Sequence, residues 1–481
     1  MASFVNKGND LNVRVISRRL VRASDSSIKE HVLGVSNIDL LHGAFPVSLV
    51  CIYPRRPAGG FHAVVAALES GLPSLLNHYF AHAGRIVANP GTGLPEIICN
   101  NHGAEFIVGV ADDVALADMD FSSMGLSVSK IPLPYGGDVP LSVQVVSFAC
   151  GGFSVVWGYN HLLGDGHALL GLVSRLSEIA RTGALAPRAR PFHDRSLFRP
   201  SSTSLRRRSS SSLATFKPLT SDRMINVLTS EASCVHRLYY LEAQAISRLR
   251  EMASQDGDGD GDGRRTTRVQ AVSAYMWKTL AAVVGEADTR CRMGWWVDGR
   301  RRLTALSTSS SSYVGNASIF ILGEHSVKEI QRKPLPEVAS MVRELIDAPA
   351  YDDLFHEVVD WVEQHKSGAT YMDESNIGLG CPMVAVTAMT SCPMDTNLGF
   401  GHAAMAMSTT RGRGLCSGFV QMMAVPGGDG AWILSASVWP KLAAALESDE
   451  LRIFVPVTAK HLGLKLNEAI VKDNGSPRSR F

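Results

Sequence analysis

The residues best suited to chemistry lie in the stretch Asn160 to Gly166, which reads Asn-His-Leu-Leu-Gly-Asp-Gly. An alternating run, Phe153 to Tyr159, precedes this stretch and predicts a strand. A histidine at the end of a strand, followed by glycines that let the backbone turn tightly, can be held at the mouth of a cleft. We therefore interpret His161 as a catalytic base that removes a proton from a bound nucleophile.

Three other interpretations of His161 need to be weighed. A lone histidine beside an apolar strand is often a hydrogen-bonded core or surface residue, and that alternative stays open. A metal site needs more ligands than one histidine and an aspartate four positions later, with Gly164 between them, so no metal is predicted. A serine hydrolase needs a G-x-S-x-G turn, and the glycine-flanked Ser417 does not fit that pattern.

The elements around the motif predict a scaffold that can position it. Ala168 to Ala180 has the spacing of an amphipathic helix, so His161 lies between a strand and a helix. Upstream, the sequence predicts strands at Asn12 to Val21 and Val47 to Tyr53, and a hairpin from Arg85 to Val108. It also predicts a helix from Phe61 to Leu76 that stops near Gly71 to Pro73, with a restart after the proline left open. Downstream, it predicts helices at Val269 to Val284 and Pro336 to Glu344, and strands at Met293 to Val297, Ala317 to Leu322, Met383 to Met389, Gly418 to Val425 and Trp432 to Ser437.

Composition limits the classes of protein. With 481 residues, 45% of them hydrophobic, the chain is long enough for two cores, and the alternation of strands and helices predicts an α/β layer structure in each half. The 47 basic and 45 acidic side chains nearly cancel, so neither nucleic acid nor an anionic membrane is a predicted partner. Eight cysteines without C-x-x-C pairs favour reduced thiols and a cytoplasmic location. We find no apolar stretch typical of a secretory signal or a membrane span.

Two low-complexity stretches are predicted to lie outside packed elements. Residues 191 to 220, which include the polar run Ser201 to Ser212, are interpreted as a linker. The run Asp256 to Gly263 resembles a calcium loop, but the twelfth position, where an EF-hand has a bidentate Glu, holds Thr267. We expect a flexible loop there.

His161 to Gly166 resembles the H-x-x-x-D-G motif of the plant BAHD acyl-CoA-dependent acyltransferases, a family that includes hydroxycinnamoyltransferases. Further stretches resemble family elements in the same order, within a resemblance that runs from about residue 30 to about residue 455. They are Ala83-Gly84-Arg85, Asn100 to Ala104, Cys150 to Phe153, Val297 to Leu303 and Tyr313 to Asn316. Together they are far more specific than the H-x-x-x-D-G motif alone.

The resemblance implies an α/β fold of chloramphenicol-acetyltransferase-like architecture, with two similar-sized mixed-sheet domains and the active site in a channel between them. The implied division is residues 1–190, a crossover linker at 191–220, and residues 221–481. The implied activity is transfer of an acyl group from acyl-CoA, the co-substrate, to a hydroxyl or amine of a small specialised metabolite by a monomer without a permanently bound cofactor. A weakened relative that only binds CoA esters or metabolites, and a CoA-independent condensation-type domain, are the alternatives.

The resemblance also implies roles for particular residues. Asp165, followed by Gly166, turns away from the base and pairs with the arginine of the D-G-R element, which is Arg300, with Arg302 as the second choice. CoA phosphates need cations near one end of the channel. The candidates lie just before the Val269 helix and are Arg264, Arg265, Thr267 and Arg268.

The second family signature, D-F-G-W-G-K-P, is altered here and reads Asn397-Leu398-Gly399-Phe400-Gly401-His402-Ala403. The two glycines remain, so we expect the backbone geometry to be kept, with Asn397, Gly399 and Gly401 in a structural role. The tryptophan usual in the family is absent upstream of this stretch. Hydroxyl donors for the oxyanion, or contacts to the acceptor, are therefore sought at Thr387, Thr390 and Ser391.

Overall fold

The structure is a computed structural model that describes residues 11–200, 225–228, 234–254, 265–306, 312–366, 380–409 and 417–464. The helices are α1 Asn37–His42, α2 Phe61–His78, α3 Gly166–Thr182, α4 Ala243–Met252, α5 Arg268–Val284, α6 Val327–Arg332, α7 Leu335–Asp347, α8 Tyr351–His365 and α9 Pro440–Ser448. The strands are β1 Arg14–Val21, β2 His31–Leu33, β3 Pro46–Tyr53, β4 Arg85–Ala88, β5 Pro95–Cys99, β6 Ala104–Ala111, β7 Leu141–Phe148, β8 Phe153–Asn160, β9 Val235–Leu241, β10 Arg290–Asp298, β11 Ser318–Ser326, β12 Met383–Ala388, β13 Met405–Ser408, β14 Ser417–Ala424, β15 Trp432–Val438 and β16 Val455–Pro456.

The first large sheet has six strands in the order β1-β6-β7-β8-β3-β13. Its strand β8 leads into the His161 motif and is buried along its whole length, as expected of a strand covered on both faces. Antiparallel pairing with β3 and β7 sets the register, with Pro46 opposite Asn160 and Leu141 opposite Tyr159. Helices α2 and α3 pack together, and the strand and the helix that flank His161 both contribute to the core of this half.

The second large sheet has seven strands in the order β11-β10-β12-β14-β15-β9-β16, and β10, β12 and β14 run parallel. A separate hydrophobic core lies against it, with α5 and its buried Trp277 packed beside α7 and α8 side chains. A three-stranded sheet, β2-β5-β4, completes the strands described above. The predicted α/β class with two cores is therefore confirmed.

The predicted division of the chain needs one correction. Strand β13 lies in the part assigned to the C-terminal domain, yet it pairs antiparallel with β3 in the first sheet, with Met405 opposite Ile52. The chain thus crosses back after β12. The physical reason is that β3 would otherwise expose an unpaired edge, which β13 covers.

Two local predictions were wrong because tertiary packing outweighed local signals. Helix α2 does not stop at Pro73 but continues to His78, since Leu72, Leu75 and Leu76 are fully buried around the proline. The first part of the predicted hairpin is present as β4 and β5, which pair antiparallel with each other. Residues 104–108, however, belong to β6 in the first sheet.

The predicted linker is also wrong for residues 191–200. Arg195 and Phe198 are buried within a 3₁₀ turn that spans Arg195–Phe198, and Phe192 bridges to Tyr313. Arg195 is part of the interior, where it pairs with the buried carboxylate of Asp39. Residues 201–220, residues 256–263 and Arg264 lie outside the described residues.

Candidate active site

The base candidate His161 begins a 3₁₀ turn, His161–Leu163, directly after β8. The Asn160 side chain caps this turn by accepting a hydrogen bond from Leu162 N at 3.0 Å. The His161 backbone N–H donates to Phe45 O at 2.9 Å. The turn is therefore tied both to its own strand and to the segment that enters β3.

Side chains distant in sequence hold the carbonyl groups of the same turn. Asn316 Nδ2 donates to His161 O at 3.0 Å. Arg195 donates to the next two carbonyls, at 3.0 Å to Leu162 O and 2.8 Å to Leu163 O. Three successive carbonyl groups are thus fixed from outside the motif, which restricts the backbone that carries the imidazole.

Asp39 joins these two supports. Its carboxylate pairs with Arg195 at 2.6 Å and accepts from Asn316 N and Nδ2 at 3.0 and 2.9 Å. Burial by itself raises the pKa of Asp39, but the Arg195 guanidinium and the Asn316 donors outweigh burial and lower it. Ser36 and Asp39 also form the capping box of α1, and their S-x-x-D spacing was the one sequence signal that could have identified Asp39.

Asp165 faces away from His161. Its Oδ1 caps α3 by accepting from Ala168 N at 3.2 Å, while its Oδ2 accepts from Arg300 Nη1 at 2.8 Å and Ala317 N at 2.9 Å. Arg300 is fully buried and also donates to Gly315 O at 2.8 Å. The pKa of Asp165 is lowered because Arg300 outweighs the opposing effect of burial.

The other residues predicted near Asp165 occupy different places. Arg302 lies over the Tyr351 ring and within 3.6 Å of Asp347, so the second choice for the partner of Asp165 is wrong. Gly166 is the first residue of α3, and a Cβ there would lie 2.2 Å from Met389 Sδ. This close contact brings the chain after β12 against the start of α3, next to the motif.

The imidazole of His161 contacts two further rings. Its centroid lies 5.1 Å from that of His42 and 4.9 Å from that of Phe45, with interplanar angles of 14° and 23°. Burial, followed by the neighbouring His42, lowers the pKa of His161 to about 4. His161 is therefore neutral near pH 7, as a general base must be. Sequence reasoning missed His42, for which no local pattern gave a signal.

The altered second signature forms a tight turn beside α3. Asn397 Oδ1 accepts from Gly399 N at 2.9 Å and Gly401 N at 3.1 Å, and both glycines have positive φ angles of 99° and 88°. Arg181 donates to Asn397 O and, at 2.6 Å, to Asp395 Oδ2. The amide at position 397 thus uses the same acceptor geometry that a carboxylate would offer.

The three hydroxyl candidates lie at the end of β12. Thr387 is in the strand, while Thr390 and the exposed Ser391 follow in a turn. Met389, between them, contacts Gly166 as described above, so this turn lies beside the motif. A role in binding the oxyanion or the acceptor stays a prediction.

The CoA candidates surround the start of α5. The Thr267 side chain caps this helix by accepting from Gln270 N at 3.2 Å, so its hydroxyl already has a structural task. Arg265 is exposed, 4.0 Å from Glu251, and Arg268 is the first residue of the helix. Arg265 and Arg268 both contribute to the lowered pKa of Arg250, after burial, so positive charge is concentrated here.

Within the described part of the chain, no group of three or more His, Cys, Asp or Glu side chains could hold a metal ion. The cysteines at the described positions are free thiols. None of the described helices is long and apolar enough to cross a membrane.

Comparison with known proteins identifies the family. The model of the Transferase family matches residues 11–441, and the chain belongs to this family, that of the BAHD acyltransferases. Acyltransferase GLAUCE of Arabidopsis thaliana is 26% identical over 74% of this chain and 80% of its own length. Putrescine hydroxycinnamoyltransferase 3 of Oryza sativa subsp. japonica is 24% identical over 69% of this chain and 75% of its own.

Solved structures show the same fold. Vinorine synthase matches with a TM-score of 0.66 at 17% identity, over 92% of this chain and 99% of that one. F. graminearum TRI101, complexed with coenzyme A and T-2 mycotoxin, matches with a TM-score of 0.69 at 14% identity, over 88% and 99%. The expected two-domain, chloramphenicol-acetyltransferase-like architecture is confirmed.

Proposed function

We propose that this protein transfers an acyl group from acyl-CoA to the hydroxyl or amine of a small metabolite, with His161 as the general base. The observation that carries the proposal is the turn that holds the neutral imidazole of His161. Arg195 and Asn316 donate hydrogen bonds to the carbonyl groups of this turn. Asp165 forms an ion pair with Arg300 and not with His161. Relatives named as hydroxycinnamoyl and feruloyl transferases support a hydroxycinnamoyl donor, and the proposal also includes other aromatic or aliphatic acyl groups.

The chemistry follows from the imidazole. His161 Nδ1 is buried and has no hydrogen-bond partner among the described residues, which leaves Nε2 to meet the substrate. Nε2 takes the proton of the attacking hydroxyl or amine as the new bond to the thioester carbonyl carbon forms. When the tetrahedral intermediate collapses, the C–S bond breaks and the imidazolium returns the proton to the CoA thiolate. No acyl-enzyme is needed.

Other groups would bind the two substrates. We propose that Arg265 and Arg268, with Arg264 preceding them, contact CoA phosphates, because a helix start with concentrated positive charge suits phosphate oxygens. Thr387, Thr390 or Ser391 would donate to the oxyanion or hold the acceptor. The proposal includes a monomeric protein and a cytoplasmic location, and the free thiols of the described cysteines support the location.

The deciding experiment compares the unaltered protein with His161→Ala in a grid of aromatic and aliphatic acyl-CoA donors and alcohol or amine acceptors. Products are identified by mass spectrometry, and CoA release is followed with a thiol reagent. Loss of the base lowers turnover by about 10²–10⁴-fold. The matched control is His102→Ala, which changes an exposed histidine outside the motif. Full turnover in folded His161→Ala protein would refute the role of His161, and CoA-ester binding without transfer by the unaltered protein would favour a binding protein.

A further inference from the structure

Five partly buried rings follow one another through the site. Phe45, His161, His42, Trp296 and Phe320 have successive centroid distances of 4.9, 5.1, 4.7 and 5.3 Å. We call them the ring row. His42 is the central member, and it joins the base to Trp296 of β10 in the second sheet. His161 is therefore connected, through His42, to a ring of the second sheet.

His42 is itself anchored. Its Nε2 lies 2.9 Å from Ser318 O and 3.2 Å from Ser318 Oγ. A carbonyl oxygen can only accept a hydrogen bond, so neutral His42 carries its proton on Nε2. Ser318 directly follows Asn316 and Ala317, which hold His161 O and Asp165 Oδ2. One short segment therefore fixes both the motif backbone and the ring beside the base.

We propose that His42 is a positioning residue for the transfer reaction, which holds the plane of the His161 imidazole and keeps the two rings from being protonated together. This inference rests on the proposed role of His161 as the base. The near-parallel contact of 14° limits rotation of the imidazole, and the bond to Ser318 limits movement of His42. A shift of about 1 Å in a reacting group can lower turnover by about 10²-fold.

The charges around the pair support the second part of the proposal. Burial is the largest influence on the pKa of His42 and lowers it, and Arg300 lowers it further. The Ser318 carbonyl and the Asp165 and Asp39 carboxylates raise it, but the net result is a lowered pKa. His42 in turn contributes to the low pKa of His161, after burial. A proton on His42 therefore opposes one on His161, as expected of two cations about 5 Å apart.

Two substitutions separate ring contact from charge. His42→Ala removes both, and we expect kcat to fall by about 10- to 100-fold with little change in the KM for acyl-CoA. His42→Phe keeps a flat ring but cannot carry a proton, so it recovers most of the activity lost in His42→Ala. The matched control is His365→Ala, since His365 stacks on Trp361 at 4.4 Å and 19° far from the motif in sequence.

The titration of the His161 ring gives a readout that a structural role would not move. In protein labelled at histidine ring carbons, assigned with a His161→Gln variant, the His161 midpoint should move to higher pH in His42→Phe, because the opposing charge is gone. An unchanged midpoint, or no recovery of kcat in folded His42→Phe, would overturn the inference. If instead His161→Ala stays active, the proposed function fails, and the midpoint alone still decides whether His42 and His161 are coupled.

Discussion

Asp39 and Arg195 form a buried ion pair, 2.6 Å between Oδ2 and Nη1, with side-chain exposures of 0% and 2%. The arginine holds the Leu162 and Leu163 carbonyls, so the pair lies beneath the turn that presents His161. Each charge compensates the other in the protein interior, where an unpaired charge would be destabilising. This pair connects helix α1, the segment after α3 and the His161 turn.

Breaking this pair from either side should lower the stability of the protein, and the two losses should not add. Asp39→Asn strands the guanidinium and Arg195→Met strands the carboxylate, so each should lower the free energy of unfolding by about 3–5 kcal/mol. The double variant should lose less than the sum of the two, as denaturant unfolding of all four proteins can measure. The surface pair Arg14 and Asp112, with exposures of 64% and 70%, is the matched control and should contribute less than about 1 kcal/mol. Additive losses would contradict a direct interaction.

Asp165→Asn should lower stability and activity together. Its carboxylate neutralises buried Arg300, and the loss of one partner of such a pair typically costs about 3–5 kcal/mol. Asp298→Asn is the comparison, because Asp298 also contacts Arg300 at 3.1 Å but its side chain is 38% exposed. This substitution should therefore lower the stability of the protein less than Asp165→Asn does. Thermal unfolding and kcat/KM are measured on each protein. Loss of activity with an unchanged melting curve would mean that Asp165 orients His161 instead.

Buried histidines should make the protein less stable in mild acid. Burial lowers the pKa of His193 to about 4 and that of His82 well below its usual 6.5. Such groups are neutral in the fold but take up protons when unfolded, so the stability they contribute is full above pH 6.5 and is lost as the pH falls toward 4. Each group changes the free energy of unfolding by up to about 1.4 kcal/mol per pH unit in this window.

His82 is suited to test this effect, because both of its ring nitrogens are buried without a hydrogen-bond partner among the described residues. We expect His82→Phe to reduce the loss of unfolding free energy between pH 6.5 and 5, measured by urea unfolding at each pH. His102→Phe, at an exposed position, should keep the original slope. Equal slopes for the two variants would show that His82 does not titrate in this way.

Asn397→Asp should leave turnover nearly unchanged. The acceptor oxygen that receives Gly399 N and Gly401 N is present in either residue, and the positive φ angles of the glycines set the turn. Asn397→Ala removes this acceptor and both of its hydrogen bonds, and should destabilise the turn by about 0.5–2 kcal/mol. Kinetics and melting curves of the three proteins are compared. A large gain in turnover for Asn397→Asp would identify this chain as a weakened relative and favour the binding-protein alternative.

Local patterns were sufficient for most elements near the site. The alternating run before His161 is β8, the amphipathic run after it is α3, and the helix predicted at Val269 to Val284 is α5. These predictions succeed because an element that buries one face has apolar residues at the regular spacing of a helix or a strand. The resemblance to the family also predicted that Arg300 pairs with Asp165, which the spacing of residues alone could not have shown.

What the sequence determined by itself was part of the strands and helices, the placement of His161 between a strand and a helix, and the family. The tertiary structure alone decided that β13 joins β3, that Arg195 is interior and that His42 contacts His161. Asn316 and Asp39, for example, are 277 positions apart yet share a hydrogen bond. Such contacts depend on how whole layers pack, because periodicity reports only that a side chain is buried and not which side chain it meets.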